Sequence, residues 1–138
     1  MAFDKDYAAS CVKLEQENLQ GEFVKYTADL AFWGERVAEA RHGESMAKQV
    51  RDVQAAELDV MGREALAGEK ATEAKVQAWV TRHPAMQAAE MELANQTLEF
   101  DRAKAVYDAL RSKRDMLVGL GAQQRAEMQH DPSIKMEF

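Results

Sequence analysis

One isoleucine, one cysteine and two prolines are all that this 138-residue sequence has of three structure-setting residue types. The lone thiol, Cys11, closes no internal disulfide and leaves no second thiol for a zinc knuckle. A β sandwich or a doubly wound sheet needs runs of valine, isoleucine and threonine, and their scarcity excludes both. With proline only at positions 84 and 132, the first 83 residues lack the strongest helix breaker. Long apolar runs are missing as well. The uncharged stretch from Met116 to Gln124 falls far short of the roughly 20 apolar residues of a membrane span. The first 20 residues are studded with charge, unlike a secretory leader, so the chain reads as a soluble protein of a reducing cytosol.

What is abundant is helix-forming. Alanine supplies 24 residues, and Ala, Glu, Lys, Leu and Arg together make 67 of 138, the composition of long helices and coiled coils. From Asp4 to about Leu19, Tyr7, Cys11, Leu14 and Asn18 step by fours and threes, which predicts a short helix ending before Gly21. A second helix is expected from Glu22 to about Ala67. Arg41-His42-Gly43 followed by Ser45 leaves open a break inside it. Thr72 can cap a short helix from Glu73 to about Arg82, and His83-Pro84 then starts a last helix reaching about Met128. In that helix Leu93, Phe100 and Tyr107 are spaced by seven, as are Ala103, Leu110 and Leu117. Together they form a heptad seam and are the candidate oligomer interface, interrupted by Gln96, Arg114 and Gly121. Two helices of that size would each run about 65 Å. The expected fold is therefore all-α: a long antiparallel helical hairpin with a short connecting helix, assembled as a coiled-coil-like oligomer because an Ala-rich hairpin has little core of its own. The expected organisation is an N-terminal arm over 1–21, a helical domain over 22–128 and a tail over 129–138.

Catalytic constellations are not legible. No serine or cysteine sits in a nucleophile elbow, and Gly62-x5-Gly68-Glu69-Lys70-Ala71-Thr72 has the wrong spacing for a phosphate loop. Glu39-x-x-His42 and Glu127-x-x-His130 echo half the ligand set of a di-iron bundle, but both histidines fall at expected helix ends. No metal, cofactor or catalytic residue is assigned. Phe23, Phe32, Trp33 and Trp79 stand at helical spacing and read as core or subunit interface. The tail from Asp131 to Phe138 reads as a loose end or a short acidic-hydrophobic docking peptide.

Charge is more informative. The chain carries net −6, yet residues 101–125 hold six basic side chains against three aspartates. There Lys104, Arg111 and Arg125 share one heptad position, with Arg114 beside Arg111 and Tyr107 between Lys104 and Arg111. Basic side chains along a helix can track phosphates and a tyrosine among them can stack a base, although Tyr107 can equally be buried in the seam. A second basic group, Arg63, Lys70, Lys75 and Arg82, lies around the elbow between the long helices. Any DNA contact by so acidic a chain must be local and salt-sensitive.

A string of spaced motifs then carries a resemblance: Gly68-x-Lys70-x-Thr72-Glu73-Ala74, Pro84, Ala109-Leu110-Arg111-x-Lys113-Arg114-Asp115-Met116-Leu117, Leu120-Gly121-Ala122 and Arg125-x-Glu127. Together they resemble the UvsY-like recombination mediator proteins of bacteriophages, over about residues 22–128. The resemblance implies an all-α homo-oligomeric ring assembled through C-terminal helices, working in the cytoplasm of an infected bacterial cell. It implies a protein that binds single-stranded DNA and helps a RecA-like recombinase load onto strands covered by single-strand-binding protein, with no catalytic activity or cofactor of its own. One departure stands out: where the family's lysine-rich DNA-binding cluster would fall, Asp52 to Met61 holds no base. No residue is carried over there. The candidate DNA contacts are Arg63, Lys70, Lys75, Arg111, Lys113, Arg114 and Arg125, and Lys70 and Arg111 to Arg114 lie in matched motif pieces. The competing expectation is a protein-only helical scaffold or structural phage protein.

Overall fold

The computed structural model describes residues 3–15 and 18–130, and every regular element in them is a helix. They are α1 (Lys5–Val12), α2 (Leu19–Ala65), α3 (Glu73–Arg82) and α4 (Pro84–His130). The long pair, α2 and α4, run antiparallel and pack together, as the all-α expectation required. The chain divides into two compact units, one of Met1–Val37 with Arg102–Phe138 and the other of Ala38–Asp101.

Local capping chemistry sets most helix ends. Asp4 caps α1 by accepting from the Tyr7 N–H at 3.0 Å, and Thr72 caps α3 by accepting from the Lys75 N–H at 3.3 Å. Pro84 takes the first position of α4, where its missing N–H costs nothing. The His83 ring supplies the cap there, its Nδ1 accepting from the Ala85 N–H at 3.1 Å.

Two expected boundaries move. α1 stops at Val12 rather than near Leu19, with Lys13 already extended, and α2 begins at Leu19 rather than Glu22. The cause is Asn18, whose side-chain oxygen accepts from the Gly21 N–H at 3.2 Å. Asn18 therefore starts the second helix instead of continuing the first, and Gly21 lies inside α2, not at a stop. At Gly43 the helix is continuous.

In the first unit, α1 packs onto α2 and α4. Ala8 and Cys11 join Trp33, Val106 and Leu110 in one buried cluster, with Phe3, Tyr26, Leu30 and Tyr107 against it. Ala8, Cys11 and Phe3 thus make the N-terminal segment a layer of this unit. The buried positions of α4 here are Ala103, Val106, Leu110, Lys113 and Leu117, stepping by three and four. The seam read from the sequence has one of its columns right (Ala103, Leu110, Leu117) and the other displaced by one residue. Val106 and Lys113 are buried, whereas Tyr107 is half-buried and Arg114 exposed. This corrects the interface assignment: Ala103, Leu110 and Leu117 are covered by their own chain and are not free to meet a neighbour.

In the second unit the core is thinner. Ala47 and Ala89 are buried, Arg41 lies over the Phe100 ring at 5.5 Å, and Leu93 and Phe100 are half-buried. A tighter cluster forms where α3 meets the long helices: Leu58, Val76 and Val80, with Leu66, Trp79, Ala85 and Met86 against them.

Candidate nucleic-acid interface

The sequence grouped its best DNA candidates on α4, and the structure brings two of them into a groove. In the first unit, Tyr107, Asp108, Arg111, Arg114 and Asp115 of α4 face Tyr26 of α2 across an open groove of about 730 Å³. The α4 residues share one side of the helix because they recur at three- and four-residue intervals. Arg111 and Arg114 are exposed, and the two tyrosines that line the groove with them are half-buried. Guanidinium planes beside aromatic rings can grip phosphates and stack bases at once. Asp108 and Asp115 on the same wall balance the two arginines, so the attraction for a polyanion is short-ranged. Tyr26 stood outside the DNA candidates in the sequence because it arrives from the other long helix.

Lys113 is removed from the DNA set. It is 2% exposed, and its ammonium lies 2.6 Å from Glu22 Oε2 and donates to the Cys11 carbonyl at 3.0 Å. This lysine holds three helices together: the last turn of α1, the first turn of α2, and α4. Arg63 is also committed. Its guanidinium donates to Asp59 at 3.0 Å and to both oxygens of Glu73 at 2.9 Å, linking the end of α2 to the first turn of α3. Donating to the Asp59 and Glu73 carboxylates raises its pKa above the ordinary arginine value. Lys70, in the turn before α3, and Arg125, late in α4, are both exposed, and the Arg125 guanidinium lies back over Gly121.

Lys75 lines a second opening, in the second unit. It shares an open pocket of about 450 Å³ with Leu66, Glu69, Trp79, Arg82 and His83. In the sequence Arg82 groups with the elbow bases, while Trp79 reads as core or subunit interface. The indole is half-buried, against the Leu58, Val76 and Val80 cluster on one side and open to the pocket on another.

Other sequence candidates remain apart. Among the described residues no three His, Cys, Asp or Glu side chains come together as a metal site, and the side chain of His130 lies outside those residues. The tail from Asp131 to Phe138 lies outside the described residues too. At the surface of α1, the Tyr7 phenol is held above its ordinary value, first by hydrogen bonding with Cys11, then by burial and by the charges of Cys11 and Asp29. None of the helices is long and apolar enough to cross a membrane among the described residues.

Large apolar side chains are exposed in number. On α2 within the second unit, Met46, Val50, Val53 and Val60 fall at heptad spacing on one face and are 47–58% exposed. Gln49 and Ala56 beside them are uncharged, and the exposed Glu57 lies on the same face between Val53 and Val60. The chain matches no protein-family model, no curated protein and no solved structure.

Proposed function

We propose that this chain is a non-enzymatic recombination mediator of the UvsY-like kind. It binds single-stranded DNA as a homo-oligomer and helps a RecA-like recombinase load onto strands covered by single-strand-binding protein. The observation that carries the reading is the groove lined together by Tyr26, Tyr107, Arg111 and Arg114, two half-buried tyrosines and two exposed arginines. That pairing of flat rings and positive charge is what a sequence-indifferent single-strand contact requires. The spaced motifs that resemble those of the mediator family are the sequence's argument for it. Linkage supplies the mechanism: an oligomer that holds DNA and recombinase together raises their local concentration and stabilises the nucleoprotein nucleus by mass action. Assembly runs through the apolar face of α2 at Met46, Val50, Val53 and Val60, which a second copy covers.

The test is a fluorescence-anisotropy titration of a labelled single strand and of its duplex at several salt concentrations. The natural chain should prefer the single strand and release it as salt rises. Arg111→Ala with Arg114→Ala should weaken binding and reduce the salt slope by about 1.4, since each phosphate contact on a single strand contributes roughly 0.7. An unchanged affinity and slope in that double variant would remove the groove from the mechanism. A second reading, a protein-only helical scaffold, draws on the same exposed α2 face and on the carboxylates of Asp108 and Asp115 inside the groove. An oligomer with no affinity for either strand at low salt would favour it.

A further inference from the structure

The elbow pocket of the second unit plays no part in the groove reading, and its chemistry is distinctive. Along α3, Lys75, Trp79 and Arg82 recur at four and three residues, so one helix face presents an indole between two cations. Both cations are exposed and, unlike Arg63, neither has an ion-pair partner among the described residues.

The indole is fixed in place. Gly62 of α2 leaves it room, because a Cβ there would stand 2.8 Å from Trp79 Cε3. The His83 ring lies 5.3 Å from the indole, centroid to centroid, at an interplanar angle of 44°. That imidazole is itself held by its cap bond to the Ala85 N–H. A prearranged aromatic surface loses little entropy when a planar group settles against it. Leu66 and Ala78 add apolar contact, and Glu69 adds one carboxylate at the edge.

We infer that this pocket is a stacking site for an unpaired nucleic-acid base, with Trp79 and His83 carrying the base and Lys75 and Arg82 taking the flanking phosphates. Each chain then has a second single-strand contact in addition to the groove at Arg111 and Arg114. The inference rests on the single-strand reading proposed above. Glu69 separates a base from an acidic peptide as occupant. The amino group of cytosine or adenine can donate to that carboxylate, whereas an acidic side chain brings only acceptors to it.

The test uses the Trp33→Phe variant, in which Trp79 is the one remaining indole, titrated with a dye-labelled oligodeoxycytidine. Anisotropy and Trp79 emission are read together. Quenching of Trp79 with the same midpoint as the anisotropy rise is expected. Lys75→Ala with Arg82→Ala, both at exposed positions, should weaken binding about tenfold and lower the salt slope by about 1.4. If Trp33→Phe fails to fold, acrylamide quenching of the natural chain isolates Trp79, because Trp33 is 3% exposed. An anisotropy rise without any change at Trp79 would overturn this site and leave the groove reading standing. Trp79 quenching by a glutamate-rich, phenylalanine-bearing peptide, with none by the oligonucleotide, would also overturn it. No anisotropy rise at low salt would remove both readings together.

Discussion

Lys113 shows how one residue misleads a reader of sequence and then organises the fold. It occupies a heptad core position of α4, with its charge matched by Glu22 and its hydrogen bonding extended to the Cys11 carbonyl. In the sequence it stood among Arg111, Arg114 and Arg125 and looked like another surface base, because its partners are far away along the chain. Removing one member of a buried pair strands the other, at a cost of about 3–5 kcal/mol, while replacing both with apolar residues is often close to neutral. Lys113→Met should therefore lower stability by roughly that amount in chemical denaturation, and Glu22→Leu combined with Lys113→Met should recover most of it. Equal losses in the single and double variants would show that the pair does not hold the helices. The sequence also had no means of showing that Glu22, beside exposed Phe23, is the buried member of that pair of neighbours. Arg111 and Arg114 were legible as a group because neighbouring turns of one helix bring them together whatever the tertiary structure does.

Among the elements, the ends governed by local chemistry were the ones the sequence exposed. Thr72, Glu73, Arg82 and Pro84 bound α3 and α4 as read, since caps and proline act over one turn. The end of α1 was misplaced because the spacing of Tyr7, Cys11, Leu14 and Asn18 continues past it, and periodicity cannot tell a helix residue from the cap of the next helix. Glycines give a further test of how the elements pack. Gly119, on the exposed side of α4, has nothing within 4 Å of an added Cβ, so Gly119→Ala should raise stability by about 1 kcal/mol through helix propensity. Gly62→Ala offers the same gain in propensity but drives a methyl group into the Trp79 ring. It should lower the thermal midpoint, and a midpoint that rises would mean that the indole is free to move.

For the whole molecule, the acid-rich composition and Ala-rich helices made an all-α chain legible, but not where its apolar surface would be left over. The seam on α4 is largely used internally, and an exposed apolar stripe lies on α2, at Met46, Val50, Val53 and Val60. Its residues were legible as helical but not as exposed, because exposure depends on which face α4 covers. If copies of the chain cover this stripe, the apparent melting temperature should rise with protein concentration by mass action. Val53→Glu, a change at a position 58% exposed, should lower the mass measured by light scattering without unfolding the subunit. A natural chain that scatters as a monomer at all concentrations would refute the assembly. The Lys113 bond to Cys11 has a last consequence, for the order in which the chain is made. Its two ends lie 102 residues apart, so α1 leaves the ribosome long before the lysine that anchors it exists. Contacts of that range form late in folding. During synthesis the residues of the elbow cluster, Leu58, Val76 and Val80, are all made before Lys113, so the lysine's anchor on α1 is expected to close after that cluster.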